Sequence, residues 1–217
     1  MSRPTVLVVA KAPVPGLAKT RIAAEIGMDA AADLAAAALL DTLDTAAGSG
    51  MAVVVALSGD LDRAARADEL RPVLAGLVVV TQVGATFGER LARAHLDADG
   101  GGGVVQVGMD SPQLRVDDLT EAADRLTDHA SVLGPAEDGG WWLLGVRRGS
   151  DASALATVEM STPTTGQHTR EVLPAPIALL RTVRDVDTWG DAQAVAEETQ
   201  HSRFAAAVLA VDQQART

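Results

Sequence analysis

An aspartate that follows a short apolar segment near the middle of the chain is the first candidate for chemistry. Residues 104–112 read V-V-Q-V-G-M-D-S-P. The valines predict a mostly buried parallel strand, and Pro112 marks where strand pairing ends. Asp110 then lies at the carboxyl edge of a sheet, where open α/β folds bind ligands, which indicates a Mg²⁺ or Mn²⁺ ligand. The alternative is an aspartate that caps the next helix or closes an Asx-turn.

Two further aspartates stand close to the C-terminal end of a predicted last strand, Leu179–Val186. Asp185 and Asp187 are two residues apart in R-D-V-D-T-W-G-D, so in extended backbone their side chains project the same way. Like charges on one face repel unless a cation bridges them. We therefore expect both aspartates on the metal, whereas Thr188 begins a helix as its N-cap.

Cations are concentrated in the loop after the first predicted strand, Val6–Ala10. This loop reads K-A-P-V-P-G-L-A-K-T-R and carries Lys11, Lys19 and Arg21. A helix start with three cations is a natural phosphate cradle, although its glycine spacing is not that of a Walker A loop. An exposed basic turn is the alternative. The predicted nucleotide-binding residues are Lys11, Pro13, Gly16, Lys19, Arg21 and Arg90.

Arg90 belongs to a helix that begins within Q-V-G-A-T-F-G-E-R-L-A-R-A-H, residues 82–95. The start of this helix lies near the same sheet edge, so Arg90 could reach a ligand. A surface helix with an i to i+4 pair between Glu89 and Arg93 is an equally simple account.

A third segment combines an acidic pair, two adjacent glycines and an aromatic strand: G-P-A-E-D-G-G-W-W-L-L-G-V, residues 134–146. Adjacent glycines permit close approach of a ligand or a positive φ, while the alternative is a tight turn into a hairpin. Asp138, Gly139, Gly140 and Trp141 are the predicted acceptor site. Trp141 and Trp142 point to opposite faces of their strand, so one of them lines a pocket and the other joins the core.

The elements around these residues alternate between strand and helix. The further predicted elements are strands at Met51–Leu57, Leu77–Thr81 and Ala130–Leu133, and helices at Ala18–Thr45 with a break near Gly27, Leu61–Leu74, Val116–Asp128 and Ala192–Val211. Such alternation indicates parallel pairing with right-handed crossovers. We expect one domain over residues 1–217, a three-layer α/β/α architecture with a mostly parallel sheet.

The composition excludes several classes of partner. A net charge of −11 and 2 % aromatic residues disfavour nucleic acid and anionic membranes. The absence of cysteine excludes disulfides and thiolate metal sites. The first apolar segment is too short for a signal peptide or a membrane span, so we expect a cytoplasmic protein.

Five segments together, K-A-P-V-P-G-L-A-K-T-R, F-G-E-R, G-M-D-S-P, G-P-A-E-D-G-G-W-W-L-L-G and D-V-D-T, resemble the DUF2064 family. The resemblance implies a GT-A-like nucleotide-diphospho-sugar transferase fold. More distantly, the chain is similar to guanylyltransferases that act on phospholactate, phosphoenolpyruvate or the molybdenum cofactor. By this resemblance Lys19 and Arg21 contact nucleotide phosphates, and Asp110, Asp185 and Asp187 bind the metal.

Both lines of reasoning predict a metal-dependent transferase with a nucleotide-activated donor. Phosphates lie on the first loop, Mg²⁺ or Mn²⁺ bridges their oxygens, and the acceptor enters beside residues 138–142. Catalytic roles then fall to Asp110, Asp138 and Lys19. Glycosyl transfer from a nucleotide sugar to a small-molecule acceptor is the leading prediction. Nucleotidyl transfer from a nucleoside triphosphate to a phosphorylated small acid, a catalytically silent nucleotide-binding protein and a homodimer stay open.

Overall fold

Seven strands form one sheet in the computed structural model, which describes residues 2–215. The strands are β1 (Thr5–Lys11), β2 (Val53–Ser58), β3 (Val78–Thr81), β4 (Val104–Gly108), β5 (Ser131–Pro135), β6 (Trp141–Val146) and β7 (Ile177–Leu179). The α-helices are α1 (Thr20–Ile26), α2 (Met28–Gly48), α3 (Ala67–Ala75), α4 (Phe87–Ala98), α5 (Val116–Arg125), α6 (Thr165–Val172), α7 (Trp189–Glu198) and α8 (Arg203–Gln214). Segments of 3-10 helix cover Leu61–Arg63 and Gly149–Thr157.

The sheet is mostly parallel, as the alternation of elements predicts. Its strand order is β3-β2-β1-β4-β6-β5-β7, and β6 alone in the described chain runs antiparallel, pairing with β4 and β5. Because β6 is reversed, the hairpin between β5 and β6 lies at the same edge as the carboxyl end of β4. The acidic pair at residues 137–138 is thereby brought to the edge where Asp110 lies.

Helices cover both faces of the sheet, so its central strands are apolar on both sides. In β1, Val6 and Val8 pack into the core on the α2 face, while Leu7 and Val9 pack into a second core on the α4 face. Near-continuous apolar strands are typical of parallel sheets buried on both sides. We name the two sides of the sheet the α2 face and the α4 face.

Two of the predicted helices are interrupted in the structure. The break predicted near Gly27 is confirmed, because this residue separates α1 from α2 with φ 90°. The predicted helix over Leu61–Leu74 is wrong in its first half. There, Arg66 adopts a left-handed conformation with φ 49°, and the helix begins only at Ala67. No helix within residues 2–215 combines the length and the apolar character needed to cross a bilayer.

The predicted last strand, Leu179–Val186, is wrong in its bounds: β7 ends at Leu179, and beyond it the described chain keeps one isolated parallel bridge, between Val183 and Ala136. Residues 180–188, which we call the crossing segment, run over the sheet edge instead. Side chains from other elements take its carbonyl groups: Gln113 Nε2 donates to Arg184 O at 2.6 Å and Trp142 Nε1 to Arg181 O at 3.0 Å. Together with the Val183–Ala136 bridge, these bonds place Asp185 over the edge.

Candidate functional site

A cavity of about 450 Å³ opens at the carboxyl edge of β1 and β4. Three carboxylates that are distant in sequence line it: Asp110 after β4, Asp138 in the β5–β6 hairpin and Asp185 in the crossing segment. Parallel strands bring their carboxyl ends to one edge, and the reversed β6 and the crossing segment add the other two aspartates. The structure thus joins three of the four predicted site aspartates in one cavity.

Asp185 is the carboxylate with the least compensated charge. Its Oδ2 atom is buried and makes no hydrogen bond within residues 2–215. Burial first, and then the neighbouring Asp138 carboxylate, raise the pKa of Asp185 to about 6. Desolvation and a like charge both disfavour the ionised form, so the site favours a proton or a cation at Asp185.

Asp110 is half-exposed and faces Lys19, whose Nζ lies 3.2 Å from Asp110 Oδ1. The alternative that Asp110 caps the next helix is wrong, because α5 begins only at Val116 and takes Arg115 as its N-cap. The carboxylate of Asp110 therefore faces the cavity without a capping role.

These carboxylates fit a divalent cation that also takes ligands from a bound phosphate. Within residues 2–215 no three His, Asp or Glu side chains are already spaced to enclose an ion. Mg²⁺ is usually bound through one or two carboxylates, with substrate phosphates completing its shell. The buried, unpartnered Oδ2 of Asp185 is the donor atom in this structure that such an ion would satisfy.

Lys19 connects the first loop to this acidic edge. The residue adopts a left-handed conformation at the start of α1, with φ 46°. Its Nζ donates to Val186 O at 2.7 Å and pairs with Asp110. Lys19 therefore holds the loop, the crossing segment and Asp110 together and does not itself line the cavity, whereas Lys11 does.

The other predicted residues of the first loop shape it and lie outside the cavity lining. Pro13 is buried, and its carbonyl accepts from Ala65 N at 2.9 Å. Gly16 needs a positive φ of 77°. Arg21 binds Asp187, with 2.6 Å between Nη1 and Oδ2. Asp187 is thus occupied by a guanidinium, and its role as a metal ligand stays a prediction.

The β5–β6 hairpin owes its glycine pair to packing against its own chain. Gly139 has φ 90°, and a Cβ there would collide with Pro163 O, so the close approach is made by the backbone and not by a ligand. Gly140 N donates to Asp138 Oδ1 at 2.7 Å, which orients that carboxylate. Asp138 and Gly140 line the cavity, while Gly139 does not.

The two tryptophans face opposite sides, as predicted. Trp142 is buried in the core of the α2 face and Trp141 packs against the core of the α4 face, and both tryptophans line the cavity. Arg90 also lines the cavity, with its guanidinium 5.4 Å from the centre of the Phe87 ring. The alternative pair of Glu89 with Arg93 is wrong, because Glu89 completes a capping box with Thr86 and Arg93 pairs with Asp97.

Sequence reasoning missed the residues that hold the crossing segment. Arg181 makes two hydrogen bonds of 2.8 Å to the carboxylate of Asp118 and lies 5.3 Å from the Trp142 ring. The signal for this pair is Asp118, which lies on the buried side of an amphipathic helix and therefore needs a cation. The sequence does not indicate that Arg181 supplies it. Gln82 and Gln106 line the cavity as well and were likewise missed.

The fold and the acidic edge define a class: a nucleotide-diphospho-sugar transferase fold with its site at the carboxyl edge of the sheet. The family model that matches residues 39–162 is DUF2064, described as an uncharacterized protein conserved in bacteria. The match spans more than half of the chain, and the chain belongs to this family.

Solved structures support the same class. A protein from Desulfovibrio desulfuricans G20, provisionally assigned as a nucleotide-diphospho-sugar transferase, is 26 % identical, with a TM-score of 0.84 over 100 % of this chain and 98 % of that one. Rv0371c from Mycobacterium tuberculosis H37Rv, in complex with manganese, is 20 % identical, with a TM-score of 0.56 over 89 % and 98 %. A nucleotidyl transferase from Methanothermobacter thermautotroptrophicus is 14 % identical, with a TM-score of 0.60 over 92 % and 99 %. Curated proteins include no match to this chain.

Proposed function

We propose that this protein is a metal-dependent glycosyltransferase that moves a sugar from a nucleotide-sugar donor to a small-molecule acceptor. The observation that carries the proposal is the cavity lined by Asp110, Asp138 and Asp185, in which the Oδ2 atom of Asp185 is buried and finds no hydrogen-bond partner in the described part of the chain. A cationic loop ends at the same edge. A divalent cation would neutralise the carboxylates, and a phosphate group would neutralise the cations of the loop.

In this proposal Asp110 and Asp185 hold Mg²⁺ or Mn²⁺, and Asp187 joins them if it releases Arg21. A cation held there would supply positive charge to stabilise the phosphates of a departing nucleoside diphosphate. Lys11 lies at the cavity, and Lys19 fixes Asp110 against the loop. Pro13, Gly16 and Arg21 give the loop its shape around the nucleotide.

Asp138 is the group we assign to the acceptor. One of its oxygens accepts the Gly140 N–H, which orients the carboxylate at the cavity to receive the proton of an attacking hydroxyl. The manganese complex of Rv0371c and the 26 % identical nucleotide-diphospho-sugar transferase fit this proposal.

The test is a thermal-shift titration with UDP-, GDP- and CDP-sugars and with nucleoside triphosphates, each with Mg²⁺, Mn²⁺ or EDTA. A ligand that binds the native state raises its melting temperature by mass action. We expect the largest rise with one nucleotide sugar, and its loss in EDTA. A larger rise in melting temperature with a nucleoside triphosphate would contradict glycosyl transfer and favour nucleotidyl transfer. No rise with any ligand would contradict both.

A further inference from the structure

One amide in the cavity wall has no partner. Gln106 on β4 is only 3 % exposed, its Oε1 is buried, and its amide makes no hydrogen bond within residues 2–215. Its neighbours Val105 and Val107 pack on the α2 face, so Gln106 points to the α4 face, where Val104 is apolar. An unpaired buried amide costs folding free energy that an aliphatic side chain would not.

Another glutamine in the same cavity shows how this fold treats a structural amide. Gln82 Nε2 donates to Ala10 O at 2.8 Å and to Ala56 O at 2.9 Å. The amide of Gln82 therefore joins the ends of β1 and β2, whereas that of Gln106 makes no such bond in the described chain. A ligand group is the partner that Gln106 lacks.

The residues around Gln106 indicate which chemical groups such a ligand would carry. We call the region lined by Phe87, Arg90, Gln106, Trp141 and Met160 the α4 alcove. The Trp141 indole is fixed by a bond of 3.1 Å from its Nε1 to Thr169 Oγ1. Arg90 rests on the Phe87 ring and makes no ion pair or hydrogen bond with its side chain in the described chain. The alcove thus offers aromatic walls, a free amide and an uncompensated positive charge.

The alcove and the nucleotide loop lie on opposite sides of the reacting edge. The first loop leads into α1 and α2, and α2 packs on the α2 face, while Gln106 and Val9 belong to the α4 face. The aspartates of the edge line the same cavity as the alcove. If the donor phosphates occupy the loop, the nucleoside and the acceptor share the rest of the cavity, and the uncompensated charge of Arg90 suits an anionic acceptor better than an uncharged base.

We propose that the α4 alcove binds the acceptor, and that this acceptor is a small hydroxylated molecule with a carboxylate or phosphate group. The inference rests on the proposed function. Gln106 hydrogen-bonds a hydroxyl of the acceptor, Arg90 pairs with its anionic group, and Trp141 covers its apolar face. The sequence predicts Arg90 as a nucleotide ligand, and its place in the alcove favours the acceptor instead.

Ligand-observed NMR on the full chain tests the alcove with three probes: glycerate, glycerol 3-phosphate and glycerol. We expect at least one anionic probe to bind at least tenfold more tightly than glycerol, and the stronger of the two identifies the anionic group. Gln106→Leu and Arg90→Gln should each weaken that probe at least tenfold. If neither anionic probe binds the parent, or if both variants bind as the parent does, the inference is overturned.

The melting temperature separates a ligand contact from a structural one. Gln106→Leu should melt at the same temperature as the parent or higher, since it removes an unpaired amide. A lower melting temperature would mean that Gln106 supports the fold and would overturn the inference. Gln193→Leu is the control. It removes the hydrogen bond from Gln193 Nε2 to Asp212, which lies outside the cavity, and should leave probe binding unchanged.

A nucleotide titration keeps the two proposals distinguishable. Stabilisation by UDP or GDP with Mg²⁺ should be equal in the parent and in Gln106→Leu. If the parent shows none, the donor half of the proposed function fails while probe binding to the alcove is still measured. If only the variant loses it, the nucleotide itself occupies the alcove and the inference is overturned.

Discussion

Asp118, which is buried, and Asp185, which is half-buried, have opposite environments. Burial acts to raise the pKa of Asp118, but the Arg181 guanidinium and the Arg115 N–H outweigh it and hold that pKa below its ordinary value. Burial also raises the pKa of Asp185, and there the neighbouring Asp138 adds to the effect, to about 6. The chain neutralises one carboxylate with its own cation and leaves the other without one.

The difference separates architecture from function. The Asp118–Arg181 pair fixes the crossing segment to α5, and its bonds are complete within the chain. Asp185, carried by that same segment, has an oxygen with no partner in the described chain and lines the cavity. A fold that satisfies the carboxylate of Asp118 and not that of Asp185 points to a ligand at Asp185.

The largest effect is expected from Asp185→Asn. The substitution should weaken metal-dependent nucleotide binding about 100-fold or more, since even outer-shell partners of metal sites contribute 10- to 100-fold. It should not lower the melting temperature, because it removes a buried charge that has no partner. Calorimetric titration with Mg²⁺ present measures the first effect, and Asp124→Asn on the exposed side of α5 is the control. Unchanged affinity in Asp185→Asn would contradict the metal assignment.

A buried histidine outside the cavity sharpens the comparison through pH. Complete burial, opposed by the contact of Nδ1 with Leu91 O at 3.0 Å, lowers the pKa of His95 to about 4 from its ordinary value of 6.5. Above pH 6.5 both states are neutral and stability is full. As the pH falls from 6.5 towards 4, only the unfolded state takes the proton, so the free energy of unfolding decreases by up to about 3 kcal/mol.

Urea unfolding at pH 7, 5.5 and 4.5 measures how steeply the free energy of unfolding depends on pH, which we call the pH slope. His95→Leu should flatten it, while His168→Gln, at an exposed position on α6, should leave it unchanged. An equal slope in the parent and in His95→Leu would assign the pH dependence to other groups.

Disrupting the Arg181–Asp118 ion pair should lower the free energy of unfolding by less than protonation of His95 does. Arg181→Met leaves the nearly buried Asp118 carboxylate without its cation, and we expect a loss of about 2 kcal/mol, reduced from the cost at a fully buried pair because Arg181 is one-third exposed. Arg71→Met is the matched control, since its pair with Asp62 is exposed on both sides and contributes little. Chemical denaturation compares the two, and equal losses would remove the distinction drawn here.

The smallest effect is expected at Asp187. Its pair with Arg21 is exposed, so Asp187→Asn should change stability by less than about 1 kcal/mol. Its effect on metal-dependent nucleotide binding should be smaller than that of Asp185→Asn in the same calorimetric titration. An equal loss would show that Asp187 leaves Arg21 and joins the cation.

Much of the fold is predictable from the sequence because local patterns carry it. The valine-rich strands, the break at Gly27 and the N-cap at Thr188 all follow from residue type and spacing, and the structure confirms them. The crossing segment is different. The predicted strand continues to Val186, but the structure keeps one isolated bridge there, and the side chains of Gln113, Trp142 and Asp118 hold the segment through contacts distant in sequence.

The candidate site divides in the same way. Asp110 and Asp138 are accessible to sequence reasoning because each follows or joins a recognisable element, and Asp185 because it stands two residues from a second aspartate. The left-handed Lys19, the Arg21–Asp187 pair and the unpartnered Gln106 are not, because they depend on how loops meet at the sheet edge. Local spacing identifies which groups reach that edge, and tertiary packing decides which of them stay free for a ligand.

The most direct test of the central claim is isothermal titration calorimetry of the parent protein with the nucleotide sugar that stabilises it most, in Mg²⁺ and in EDTA. The account predicts binding with Mg²⁺ that weakens at least tenfold in EDTA, because the carboxylates of the edge then repel the donor phosphates. Equal affinity in the two conditions would contradict the claim that Asp110 and Asp185 hold a cation for the donor.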